Sequence, residues 1–192
     1  MKSDVQEWEK LRAGDQAALK YIYETYFSPL TNYGLRISPH LELIEDCIQD
    51  LFVELWRLHA TLGQTDSVKN YLMGSLRRKI VRRLQEKNKF DTSELQLELK
   101  ASDEPNFLIS LIEDEEDSQQ KLKLAKAMSQ LSNRQREAIY LKYAEGMDYD
   151  QICEQMELQY QSVRNLVSTG INRLKEIIVL IVIFFIKFEY KI

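Results

Sequence analysis

The sequence predicts an all-α protein: two small helical domains joined by an acidic linker. Three observations carry that reading. Apolar residues recur at helical spacing along most of the chain. Only six Gly and three Pro punctuate the 192 residues. No strand-like alternation exceeds a few residues outside the C-terminal tail. At 44 % hydrophobic and 29 % charged, the chain can bury a core, which speaks against global disorder. Cys47 and Cys153 lie far apart without a CxxC pair, and His40 and His59 are the only histidines. A disulfide scaffold or a Cys/His zinc site is therefore not expected. The start, MKSDVQEWEK, has no apolar core of a secretory signal, so a cytoplasmic protein is expected.

The net charge of −4 argues against a nucleic-acid partner only if it is spread evenly, and it is not. Residues 1–68 carry 6 basic and 11 acidic side chains. Residues 69–90 carry 8 basic and one acidic, and residues 91–120 carry one basic and ten acidic. Residues 121–192 carry 11 basic and 8 acidic. An acidic segment thus hides a strongly basic one in the total.

Taken in order, a first helix is expected from Asp15, an N-cap residue, through Ala17, Leu19, Ile22 and Phe27. Pro29 marks a kink or a new start. Ser38-Pro39 biases residue 38 away from the α region, so 36–41 reads as a loop. Ile44, Ile48, Leu51 and Leu55 then repeat as one stripe of an amphipathic helix. Glu45, Asp46, Gln49, Asp50 and Glu54 line its opposite face beside Phe52 and Trp56, which suits a basic protein partner or plain solvent. The polar stretch TLGQTDS, 61–67, is a loop.

Residues 69–84, KNYLMGSLRRKIVRRL, place Leu72, Leu76, Ile80 and Leu84 on one stripe. Arg77, Arg78, Lys79, Arg82 and Arg83 cover the rest. Five cations in seven residues repel one another unless solvent or an anion compensates. A phosphate backbone is the natural counter-surface, because binding releases condensed counterions; a membrane surface is the lesser alternative. Asn70 and Tyr71, beside the polar loop, have the chemistry to hydrogen-bond and stack on an unstacked base.

Residues 88–120 read as the linker: Pro105, scattered acids, the run Glu113–Asp117 and an apolar patch FLISLI at 107–112. Such a run is a solvated spacer, or else it repels the DNA backbone and covers the basic segment when DNA is absent. Beyond it, Ser132 can cap a helix through Tyr143 that ends near Gly146. Asp148 can cap a short helix over 149–155, and a turn at Glu157-Leu158 leads to a helix from about Tyr160 to Glu176. Val163, Leu166, Val167, Ile171 and Leu174 form its inner face. Gln161, Ser162, Arg164, Asn165 and Ser168 lie outside, as in a helix-turn-helix whose second helix enters the major groove. A generic helical hairpin has the same spacing, and the turn lacks a Gly. Residues 177–186, IIVLIVIFFI, are too short to span a bilayer and need packing, a partner or a membrane surface to cover them.

In this order the elements resemble the extracytoplasmic-function sigma factors, the minimal members of the sigma-70 family of bacterial transcription initiation factors. IEDCIQDLFVELW is similar to the region 2.2 helix that docks on the clamp of core RNA polymerase. SVKNYLMGSLRRKIVRRL is similar to regions 2.3–2.4, which open the promoter and hold the −10 element as single strand. Residues 131–175 are similar to region 4, which reads the −35 element, and YQSVRN resembles a Bacteroidetes-like branch. The resemblance covers roughly residues 10–86 and 122–176.

The resemblance implies roles for particular residues. Asp46, Gln49, Asp50, Glu54 and Trp56 become polymerase contacts. Lys69, Asn70, Tyr71, Arg77, Arg78, Lys79, Arg82 and Arg83 become −10 contacts. Tyr160, Gln161, Ser162, Arg164, Asn165 and Ser168 become −35 contacts. It implies domains at 1–87 and 121–176, a linker at 88–120 and a separate tail at 177–192. The implied partners are core polymerase, through its beta-prime clamp and beta flap, and promoter DNA. An anti-sigma factor or another DNA-bound recruiting protein is a further partner of this type. A nucleoid-associated place in the cytoplasm follows, with no membrane span, no metal, no cofactor and no catalysis of its own. Two departures stand out. Arg164-Asn165-Leu166 and Ser168-Thr169 stand where further cations are common, which weakens −35 affinity. Tyr71 stands where Trp is common and keeps the stacking capacity. A stand-alone helix-turn-helix regulator, or an adaptor using the fold for protein contacts, is the alternative.

Overall fold

The computed structural model describes residues 3–90 and 127–189, with side chains over 3–86 and 127–176. Residues 91–126, which take in most of the expected linker with its FLISLI patch and Glu113–Asp117 run, lie outside the described residues. All regular structure among the described residues is helical. The chain divides into two compact units, Met1–Thr92 and Ser93–Ile192.

The first unit holds α1 (Asp4–Arg12), α2 (Gln16–Ile37), α3 (Leu41–Arg57), a 3-10 turn (His59–Thr61) and α4 (Val68–Phe90). Asp15 caps α2 as expected, its side chain accepting from Ala17 N at 2.8 Å. Helix α2 runs unbroken through Pro29. Thr25, whose carbonyl loses its amide donor there, is exposed, so water can replace the missing bond. Ile22, Tyr26, Leu30, Tyr33 and Ile37 form its buried face. That face meets Ile44, Ile48, Leu51 and Leu55 of α3 and Leu72, Leu76 and Ile80 of α4, all buried. Leu84, expected on the same stripe, is half-buried.

One close approach makes this three-helix contact possible. Gly34 sits where a Cβ would lie 2.6 Å from Ile44 Cγ2 and 3.3 Å from Ile80 Cδ1. The fourth helix, α1, was not anticipated from the sequence. It buries Trp8 and Leu11 completely and is tied to α2 by Tyr26, whose hydroxyl donates to Asp4 Oδ2 at 2.6 Å. Burial, then that hydrogen bond, pushes the phenol well above its ordinary value.

The described part of the second unit begins in helix at 127–129 and continues with α5 (Asn133–Tyr143), α6 (Tyr149–Met156) and α7 (Tyr160–Glu189). Ser132 and Asp148, the two expected caps, each form a full capping box, with Gln135 and Gln151 as the reciprocal partners. Ala127, Leu131, Ile139 and Leu174 form a buried cluster against Met128 and Ile171. Gly170 allows α7 to pass close to α5, since a Cβ there would lie 2.7 Å from Ile139 Cδ1. The turn without a Gly is made by Glu157, which adopts the left-handed region at φ 54 and ψ 46. Helix α7 does not stop at Glu176 but continues as backbone helix to Glu189, because no Gly or Pro interrupts 177–186. Among the described residues no helix is long and apolar enough to cross a membrane.

Two substitutions test these packing statements. Gly34→Ala should destabilise the first unit by about 1–3 kcal/mol through overpacking. Glu157→Gly should stabilise the second by about 1 kcal/mol by removing left-handed strain. Denaturant unfolding of the full chain, followed separately in each unit, checks both signs.

Candidate functional site

Two surfaces carry the residues singled out in the sequence, one in each unit. In the first, Asp46, Gln49 and Asp50 stand exposed on α3, with Glu54 half-buried a turn further on. Val53 stands between them at 68 % exposure, the most exposed of the large hydrophobic side chains described. Sequence reasoning missed it, although its spacing of four from Gln49 put it on that face. Trp56 is half-buried instead of presented outward, and stacks on His59 with ring centroids 5.0 Å apart at 18°. His59 Nδ1 donates to the Trp56 carbonyl at 2.7 Å.

The acidic face of α3 and the cationic face of α4 are not separate surfaces. Lys79 Nζ donates to Glu54 Oε2 at 2.5 Å, and Arg83 donates to Asp50 Oδ2 at 2.7 Å. The Lys79 hydrogen bond, and then its charge, hold the Glu54 carboxyl below its ordinary value. The Asp50 carboxylate in turn raises the already high value of Arg83. Arg82 pairs along its own helix with Glu86 at 2.9 Å, and Arg78 donates to Ser75 Oγ at 3.0 Å. Arg77 requires a correction. It follows Met73 by four residues, which turns it toward the bundle and leaves it only 8 % exposed. The expectation that it stands with the exposed cations of α4 is therefore not met.

Between α3 and α4 lies a cleft of about 290 Å³. Leu51, Leu55, Leu58 and Leu62 contribute its apolar lining, and Arg78, Lys79 and Arg82 its cations. Tyr71 also lines it. Asn70 and Lys69, both half-buried, begin α4 beside it. Ser67 caps that start, its Oγ accepting from Asn70 N at 3.2 Å.

In the second unit Tyr160, Gln161, Ser162, Arg164, Asn165 and Ser168 are all exposed on α7. Gln161, Ser162, Asn165 and Ser168 lie on the side away from the buried Val163, Val167 and Leu174, while Arg164 lies on the flank and Tyr160 near the edge of the buried stripe. Gln161 Nε2 donates to Asn165 Oδ1 at 3.0 Å, so two of these polar groups are already paired. Thr169 ties the helix to α5 by accepting from Gln135 Nε2 at 3.1 Å. The start of α7 is braced by aromatic contacts. Tyr160 meets Tyr149 edge-on at 5.6 Å, and Lys142 Nζ lies 4.8 Å over the Tyr149 ring. Neither Tyr149 nor Lys142 stood out in the sequence, because their relation to Tyr160 appears only once the helices cross.

Comparison with known families decides what this pair of surfaces belongs to. The model for sigma-70 region 2 matches residues 22–90, and that for sigma-70 region 4 matches residues 121–174. Together they take in 123 of the 192 residues. The chain belongs to the sigma-70 family. It has the two-region form of the extracytoplasmic-function sigma factors, a family that is non-enzymatic in general.

No curated protein matches the sequence. Among solved structures, the fold is similar to the sigma factor RpoE in complex with the anti-sigma factor NepR from Bartonella quintana. The TM-score is 0.62 at 22 % identity, covering 83 % of this chain and 95 % of that one. It is also similar to CnrH in complex with the cytosolic domain of CnrY, with a TM-score of 0.59 at 14 % identity, covering 93 % and 99 %. At those identities the likeness speaks to the fold.

The α3–α4 ion pairs of this sigma factor are partly exposed, so each is worth little by itself. A double-mutant cycle on Glu54→Gln and Lys79→Met should give a coupling of about 0.2–1 kcal/mol. Equilibrium unfolding measures it, and a coupling of zero would mean the pair forms without holding the helices.

Proposed function

We propose that this sigma factor binds core RNA polymerase through the α3 face, captures unpaired −10 bases at the α3–α4 cleft and contacts the −35 duplex with α7. The polymerase carries the nucleotidyl-transfer chemistry, and the chain itself catalyses nothing. Its place is the cytoplasm, on the nucleoid.

The observation that carries this reading is the cleft. A flat base leaving the duplex needs an aromatic surface and an apolar floor, and Tyr71 and Leu51, Leu55, Leu58 and Leu62 supply them. Stacking on an aromatic side chain is worth about 1–3 kcal/mol per base. Arg78 at the same cleft, joined by Lys79 and Arg82 as they exchange Glu54 and Glu86 for phosphate, supplies charge for the flanking phosphates. Asn70 adds an amide for a base edge. On α3 the carboxylates of Asp46 and Asp50 around the exposed Val53 make a small apolar centre with an acidic rim, which suits a basic clamp surface. In region 4 Arg164 is the one cation among the expected −35 readers, so placement by polymerase, through its flap, or by another DNA-bound protein is needed for firm −35 contact. The two solved relatives named above were each captured with a second protein, in one case an anti-sigma factor, which supports a restraining partner of that class here.

Reconstitution with core polymerase tests the reading. The chain should co-elute with core, and the mixture should start transcription at discrete promoters. Asp46→Lys should weaken co-elution at least tenfold without lowering thermal stability, since no ion pair is lost there. Asp50→Lys also breaks the pair with Arg83, so it is the poorer probe. Tyr71→Ala should leave co-elution intact and lower open-complex formation about tenfold or more. Binding to promoter duplex without core would instead identify a stand-alone regulator. Binding to neither would identify an adaptor.

A further inference from the structure

Helix α1 precedes the segment matched by the region 2 model, which begins at residue 22. Nothing in the proposed function calls on it, yet it reaches the cleft through two side chains. Trp8 is completely buried, and its Nε1 donates to the Gly63 carbonyl at 3.0 Å. The same indole packs on Tyr71, with ring centroids 4.9 Å apart and planes at 59°. One turn on, Arg12 Nε donates to the Leu62 carbonyl at 2.7 Å. Its guanidinium is steadied by Glu9 at 2.5 Å.

Two consecutive carbonyls of the loop between the 3-10 turn and α4 are therefore held by α1. In a trans peptide the N–H points opposite to the C=O, so the amides of Gly63 and Gln64 are directed away from α1. The loop is open on the side of Gly63, where a Cβ would meet no atom within 4 Å. The far end is fixed by the loop's own bonds, Thr65 Oγ1 to the Ser67 carbonyl at 3.1 Å and the Ser67 cap on Asn70. At the near end the buried Leu62 side chain and its N–H to the His59 carbonyl at 3.3 Å anchor one residue, and Trp8 and Arg12 hold the carbonyls of Leu62 and Gly63.

We propose that Trp8 and Arg12 are positioning residues for promoter capture: they hold loop 62–67 and the Tyr71 ring in the one arrangement that receives an unpaired −10 base. The proposal rests on the region 2 reading given above. Trp8 fixes the tilt of the Tyr71 ring from behind, while the two hydrogen bonds fix the distance between that ring and the loop. A base stacked on Tyr71 is then sorted by whatever the loop presents to its edge. Loosening α1 should blur the choice between bases as well as weaken binding, because a mobile loop contacts right and wrong bases alike.

The test uses the full chain assembled with core polymerase. The probe is a single-stranded oligonucleotide of the non-template −10 sequence, taken from a promoter mapped by transcript starts. Trp8→Phe keeps an aromatic ring against Tyr71 and removes the Nε1 donor. Arg12→Ala removes the second bond from a partly exposed position and cannot open the core. Each variant should bind core as wild type does, bind the oligonucleotide about tenfold more weakly, and lose about tenfold of its preference for the native base. Retention of oligonucleotide affinity and base preference within about twofold of wild type, in both variants, would overturn the positioning role. Loss of core binding in step with loss of oligonucleotide binding would overturn it too, as the mark of a merely structural role. If the wild-type holoenzyme itself ignores the oligonucleotide, the underlying region 2 reading fails and takes this proposal with it.

Discussion

The packing of α4 into the groove between α2 and α3 is the contact on which the promoter-facing half of the molecule depends. Leu72, Leu76 and Ile80 are completely buried there, and each full burial of such a side chain is worth about 1.5–3 kcal/mol. At its floor Gly34 has no side chain, which lets Ile44 of α3 and, less tightly, Ile80 of α4 approach the α2 backbone. This packing sets the height of α4 above α2. With it come the rotation that turns Arg78, Arg82 and Arg83 outward, the rotation that turns Arg77 inward, and the position of Tyr71 at the cleft. A basic helix of this density would be unstable by itself through mutual repulsion. The apolar stripe, together with the carboxylates of α3, holds it in place.

Those carboxylates link the two proposed activities of region 2. Asp50 and Glu54 belong to the proposed polymerase face, yet they pair with Arg83 and Lys79 of the helix proposed to meet DNA. A clamp surface that engaged them would compete for the same charges. By linkage, if core binding loosens those pairs and so frees Lys79 and Arg83 for promoter phosphates, promoter binding raises the affinity for core by the same factor. The net charge of the chain hides this arrangement, because the acids and bases that matter are matched across two helices instead of along one.

Much of the fold was legible in the sequence where the signal is local. Asp15, Ser132 and Asp148 cap helices because a short oxygen-bearing side chain beside free amides needs no distant partner. The stripes on α3 and α4 follow from spacing alone. Legibility ended where the third dimension entered. Sequence adjacency places Arg77 among its cationic neighbours, whereas the helix turns it to the side of the buried Met73 and Leu76. Val53 escaped notice among acids, and α1 escaped because a nine-residue helix with five charged side chains shows its apolar face only through Trp8 and Leu11. Glu157 occupies a left-handed turn position that Gly or Asn would signal, so the turn was visible only by what flanks it. The exposure of Gln161, Ser162, Arg164, Asn165 and Ser168 on α7 was legible, but the bracing of Tyr160 by Tyr149 and Lys142 was not.

The central claim is that region 2 takes up unpaired promoter bases at the Tyr71 cleft once the chain is joined to core polymerase. Fluorescence of 2-aminopurine placed through the −10 element of a duplex promoter measures this most directly, with and without core. Unstacking should appear at −10 positions only with the wild-type holoenzyme, and Tyr71→Phe should preserve it while Tyr71→Ala removes most of it. Unstacking that is unchanged in Tyr71→Ala, or that the chain produces without core, would contradict the claim.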